Sequence, residues 1–153
     1  MIHLHIADPF VDKVNPAHLE QAALSTLTQQ GVPAEPDLTI VIDDDTQLHR
    51  LNLEFLGIDA PTDVLSFPSG EEQDDPETGR RYLGDIIISF PRAEAQALAG
   101  GHTVLAELQL LVVHGTLHLL GHDHAEPDEK ELMWTAQREI LTGLGAQISH
   151  LPD

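Results

Sequence analysis

Between Val104 and Leu120 the chain carries a helix-length run that leaves no clear polar face: Val104, Leu105, Leu110, Leu111, Val112, Val113, Leu117, Leu119 and Leu120. A helix that is apolar nearly all round belongs in an interior, so the rest of the chain has to be wrapped around it. That constraint makes His114 and His118, on the same run, the informative residues. Charged imidazoles inside such a helix would cost several kcal/mol in desolvation. Neutral imidazoles bound to a cation remove that objection.

The spacing of these residues points the same way. His114 and His118 lie one turn apart on one helix face, Gly121 can then reverse the chain, and His124 can return toward the pair. Histidines at i, i+4 and i+10 with Gly at i+7 follow the long zinc signature H-E-x-x-H-x-x-G-x-x-H at every position except one. The exception is Gly115, which stands where a metalloprotease keeps its Glu general base. A pair of histidines at helical spacing would mean little in a chain with ten of them. Three with the turn Gly between the second and third predict a metal site of His114, His118 and His124, holding one zinc per chain. His122 stays open as an alternative third ligand, and no residue is assigned as catalytic acid or base.

Composition narrows the remaining classes. A chain of 153 residues is expected to form one domain, 1–153, burying roughly two thirds of the surface that its unfolded chain exposes. Cysteine is absent, which excludes thiolate zinc sites and disulfides and leaves imidazole as the nitrogen ligand. The N-terminus has no basic segment followed by a long apolar core, and no run is long enough to span a bilayer. A cytoplasmic location without membrane contact is the expectation. The formal net charge of −19 repels polyanions, so taken alone it argues against nucleic acid as a partner. The seven basic residues, Lys13, Arg50, Arg80, Arg81, Arg92, Lys130 and Arg138, are scattered in sequence.

Elsewhere the period-two and helical patterns give the element order. Ile2, Leu4 and Ile6 alternate as a strand with His3 and His5 on its exposed side. Asn15 offers an N-cap with Pro16 in the first turn, opening a helix that Gly31 ends. Leu38 to Ile42 reads as a buried strand. Asp43, Asp44 and Asp45 suit the start of a helix that carries Leu48, Leu51 and Phe55 and stops at Gly57. Two strands, Asp63 to Phe67 and Leu83 to Ser89, flank a long polar hairpin loop, Ser69 to Tyr82, with a mobile tip. A short helix from Arg92 to Ala99 breaks at Gly100-Gly101, Thr103 caps the metal helix, and a last helix opens at Pro127. That helix turns Leu132, Met133, Ala136, Ile140 and Leu141 inward until Gly143. The fold class is α+β: a small mixed sheet of about four strands, with one antiparallel hairpin, covered by helices. The metal site falls at the C-terminal end of the buried helix.

Three separate motifs in this order resemble a known family. Leu51-Asn52-Leu53-Glu54-Phe55, then Asp59-Ala60-Pro61-Thr62-Asp63-Val64-Leu65-Ser66-Phe67-Pro68, then Leu83-Gly84-Asp85-Ile86, followed by the histidine run, look like the bacterial YbeY-type endoribonucleases, or rRNA maturation factors. The resemblance implies a zinc-dependent, single-strand-specific endoribonuclease acting in ribosomal RNA processing and ribosome quality control. Its implied partners are single-stranded RNA, above all ribosomal RNA, and the small ribosomal subunit or ribosome-associated proteins, with no DNA. Two positions depart from the family pattern. Leu56 stands where an Arg implicated in RNA contact or catalysis commonly follows the aromatic, with Arg50, Arg80, Arg81 and Arg92 as spatial substitutes to test. His122 occupies a position where the family usually has an aromatic residue.

The remaining readings stay open at this level. Asp123 is a partner for a ligand His, a proton carrier or a turn former, and Thr62, Asp63 and Ser66 form either a groove edge or the start of a strand. Metal-dependent hydrolysis of peptides or small amides, and a non-catalytic ribosome-associated factor with a structural zinc, are the competing functions. Gly115 weighs against the first of these.

Overall fold

A computed structural model describes residues 1–32, 36–70, 75–77, 79–146 and 148. Among these residues four strands form one mixed sheet: β1 (Ile2–Ile6), β2 (Asp37–Asp43), β3 (Val64–Pro68) and β4 (Tyr82–Ser89). Their spatial order, β1-β2-β4-β3, was not readable from sequence. β1 runs parallel to β2 and β2 to β4, while β3 returns antiparallel along β4. The expected mixed α+β sheet with one antiparallel hairpin is therefore present. Residues 71–74 and 78 of the connecting loop lie outside the described residues, and so does its expected mobile tip.

Among the described residues five α-helices cover the sheet: α1 (Pro16–Gln29), α2 (Asp45–Leu56), α3 (Phe90–Gly100), α4 (Val104–Leu119) and α5 (Pro127–Leu144). Alternation along the strands separates two apolar layers. Leu38, Ile40, Ile42, Ile86 and Ile88 face the main core with α1, α4 and α5. Ile87 and Leu65 face the opposite way, against Leu48 of α2. Because α4 packs on α1, α3, α5, β3 and β4, it has almost no solvent side, which explains its all-round apolar sequence. Its first turn emerges, with Leu105 exposed, and His118 in its last turn is half-buried. Among the described residues, no single helix is long and apolar enough to cross a membrane.

Local signals set most boundaries. The Asn15 side chain accepts from the Ala17 amide at 3.0 Å, and the Thr103 hydroxyl accepts from Ala106 at the start of α4. Asp44 caps α2 through the Gln47 amide, Asp45 sits in the first turn, and Asp43 ends β2. The acidic triplet thus serves the helix start. α3 starts at Phe90, earlier than Arg92, because Ser89 caps it and Pro91 fits the first turn. α5 runs past Gly143 to Leu144, since the left-handed terminating residue is Gly145, at φ 77°. A 3-10 turn at Asp8–Lys13 has no counterpart in the sequence reading. Leu132 is a further correction: it is 67% exposed, and the inward position beside Ala136 belongs instead to the fully buried Gln137.

Candidate active site

The lower half of α4 faces β3, and Gly115 permits that approach. A Cβ at Gly115 would lie 2.8 Å from Ile86 Cγ2 and 3.1 Å from Ser66 Oγ, both on the sheet beneath. Ile86 is fully buried and has nowhere to retreat. The Ser66 hydroxyl donates to the Gly115 carbonyl at 3.2 Å, fastening the helix to the strand. The position that carries a Glu base in the metalloprotease signature is therefore a contact between layers, with no room for a side chain. On β4, Gly84 has a comparable duty: its φ is 142°, and a Cβ there would overlap the Phe67 carbonyl oxygen.

Packed this way, α4 delivers His114 and His118 to one end of the sheet. The chain then turns through Gly121, at φ 98°, and His124 comes back against both. Ring centroids are 4.6 Å apart for His114 and His118, 5.8 Å for His114 and His124, and 5.2 Å for His118 and His124. One nitrogen from each lies within 4.8 Å of the others, so the three could hold a metal ion. The Nε2 atoms of His114 and His118 are 3.1 Å apart. Two ligands at about 2.0–2.1 Å on a tetrahedral ion would sit about 3.3 Å from each other.

The two donors on α4 are also in the protonation state that coordination requires. His114 Nδ1–H donates to Gln137 Oε1 at 2.6 Å, which leaves the Nε2 lone pair facing the cluster. Burial, then the neighbouring His118, push His114 down to about 4 from its ordinary 6.5. Burial and His124 lower His118 as well. These imidazoles are neutral at neutral pH, as metal coordination requires.

Gln137 is the site residue that sequence reasoning missed. It is fully buried on α5, and its Nε2 has no hydrogen-bond partner among the described residues. Its retention among apolar neighbours makes sense through the one bond it does form, to the ring of His114. Partners that orient a metal-binding imidazole typically matter 10–100-fold in metal affinity. Gln137→Leu should accordingly weaken metal binding by roughly that factor, read by competition with a chromogenic chelator.

His122 and Asp123 do not join the cluster. His122 Nε2 lies 2.6 Å from Gln30 Oε1, tying the turn to the end of α1, so the third histidine at the site is His124. Asp123 is exposed and accepts from the His124 amide at 2.7 Å, which is the turn-forming role.

A cleft of about 560 Å³ opens beside the histidines, lined by Leu56, Thr62, Asp63, Ser66 and Pro68 together with all three rings. The motif Thr62 to Ser66 is thus both a strand start and a cleft wall. Asn52, nearly buried on α2, donates from Nδ2 to the Ala60 carbonyl at 2.9 Å and pins the loop that joins the two walls. No Lys or Arg lines the cleft among the described residues. Arg92 is held by Asp45, with both guanidinium contacts at 3.0 Å; Arg50 pairs with Glu54 and Arg80 with Asp37. Arg81 is likewise absent from the lining, so none of the four replaces the cation missing at Leu56.

The family model for endoribonuclease YbeY matches residues 7–145. This chain belongs to the YbeY family. Among curated relatives, endoribonuclease YbeY of Roseiflexus sp. (strain RS-1) is 43% identical over 94% of this chain and 92% of its own length. That of Chloroflexus aggregans is 46% identical over 86% of this chain and 89% of its own. The solution structure of TM1509 from Thermotoga maritima is similar at TM-score 0.65 and 26% identity, covering 94% of this chain and 89% of that one. The fold is therefore shared with that solved structure, and the sequence with the curated relatives.

Proposed function

We propose that this YbeY family member is a single-domain, cytoplasmic, zinc-dependent endoribonuclease that cleaves single-stranded RNA in ribosomal RNA processing and ribosome quality control. The observation that carries this reading is the convergence of three histidines on an open cleft, within a chain whose relatives are named endoribonucleases. His114, His118 and His124 would hold the ion, and an all-imidazole set suits zinc. Three protein ligands facing a cleft leave a position for water or substrate, which favours catalysis over a purely structural ion. When bound, zinc supplies a Lewis acid for a phosphoryl oxygen and lowers the pKa of water toward ~7.

The chain's own groups do the rest. Gln137 fixes the tautomer of His114. Thr62 and Ser66 hold their hydroxyls at the cleft wall, donating to Asp63 and Gly115. Their oxygens keep acceptor capacity for a ribose 2′-hydroxyl, the group that distinguishes RNA from DNA. Leu56 and Pro68, which also line the cleft, are apolar and give it no anion-binding side chain. Peptide hydrolysis is disfavoured because Gly115 has no space for the signature Glu.

Incubation of zinc-loaded protein with unstructured RNA tests the reading: cleavage abolished by EDTA and restored by zinc is expected, and intact RNA under all salt conditions would refute it. Ribosome co-sedimentation without cleavage would favour the non-catalytic factor. Binding should be weak. Leu56, 55% exposed on the cleft rim, offers a place to strengthen it. Leu56→Arg should tighten RNA binding and steepen the slope of log K against log salt by about 0.7, the increment for one extra phosphate contact on a single strand. An unchanged slope would show that this rim does not meet phosphate.

A further inference from the structure

A group that takes a proton from the attacking oxygen speeds nucleic-acid cleavage, and the signature position for one is closed by the contact of Gly115 with Ile86. The other nearby carboxylates are committed elsewhere. Asp123 is exposed and turned to the His124 amide, and Glu107 is buried against His102 at 3.0 Å. Asp63 alone among the described cleft residues brings a carboxylate to the wall that His114, His118 and His124 share. Its Oδ1 accepts from the Val64 amide at 2.8 Å and from the Thr62 hydroxyl at 3.3 Å. Oδ2 has no hydrogen-bond donor among the described residues. The Asp63 carbonyl accepts from the Ser89 amide at 2.9 Å, so the residue is anchored to β4 and does not hang on a loose loop. Its charge also reaches the cluster, where it opposes the downward shift of His114.

Resting on the endoribonuclease reading, the geometry points to Asp63 as the general base of RNA cleavage, with Oδ2 as the accepting atom. As the nucleophilic oxygen, from water or a ribose 2′-hydroxyl, forms its bond to phosphorus, its proton passes to Oδ2. The phosphorus–oxygen bond to the neighbouring ribose breaks, and the departing oxygen takes a proton from solvent. Asp63 is regenerated by releasing its proton to solvent, so no oxidant or co-reactant is needed.

Asp63→Asn separates this role from the strand-start role, because Asn Oδ1 can still accept from Val64 and Thr62 while the basic oxygen is gone. The expected result is wild-type zinc content and melting temperature, KM within about twofold, and a single-turnover rate lower by about 10²–10⁴-fold. Asp63→Ser, which also suits a turn before a strand, carries the same comparison if Asp63→Asn does not fold. Cleavage at the wild-type rate by either folded variant overturns the assignment, as does a rate loss matched by loss of zinc or confined to KM. Wild-type protein that leaves RNA intact overturns the nuclease reading and the base assignment with it. Active wild type beside an equally active variant overturns the base assignment alone.

Discussion

Stripping the metal from the folded protein should lower its melting temperature by roughly 10 °C. A ligand that binds only the native state adds about 4 kcal/mol at a thousandfold excess over its Kd, and each kcal/mol moves the midpoint by about 2–4 °C in a chain of this size. The coupling follows from where the ligands sit. His114 and His118 belong to the most buried helix, whereas His124 is on the turn that leads into α5, so an ion would clamp that turn to the core. His118→Ala should lose most of its zinc and become indifferent to chelator. A melting curve unchanged after verified zinc loss would mean that the cluster and the fold are not linked.

Acidification of the metal-free protein should give the second large effect. His114 takes up a proton near 6.5 in the unfolded chain but only near 4 in the fold, so between those values the unfolded state binds more protons. Stability from this group is therefore fully present above about 6.5 and is lost as pH falls, by about 3 kcal/mol in total at about 1.4 kcal/mol per unit. His118 is shifted in the same direction and deepens the loss. Denaturant midpoints in chelator at pH 7 and pH 5 check it: the fall should be clear in wild type and smaller in His114→Gln. Equal falls in the two proteins would assign the acid sensitivity to other groups.

The parts of this molecule that sequence conveyed are those governed by near neighbours. Strand alternation at Ile2, Leu4 and Ile6, the Asn15-Pro16 helix start and the Thr103 cap depend on a few adjacent residues, and each recurs in the structure. The histidine cluster was legible for the same reason, since one helical turn and one Gly reversal bring its members together. The order of the strands is set by packing between distant segments and left no local mark. Gln137 escaped because its partner lies 23 residues away, and on pattern alone a Gln in an amphipathic helix reads as surface. In the sequence Gly115 signals only the absence of a base. Its positive role, closing α4 onto Ile86 and Ser66, exists only once helix and sheet are in contact. His122 looked interchangeable with His124 until the turn directed it to Gln30.

Titrating metal-free protein with zinc while following single-stranded RNA cleavage tests the central claim most directly. Activity should be absent at the start, rise linearly, and break at one zinc per chain, with His118→Ala flat throughout. Cleavage by the metal-free protein, or an undiminished rise in His118→Ala, would contradict an RNA-cleaving centre built on His114, His118 and His124.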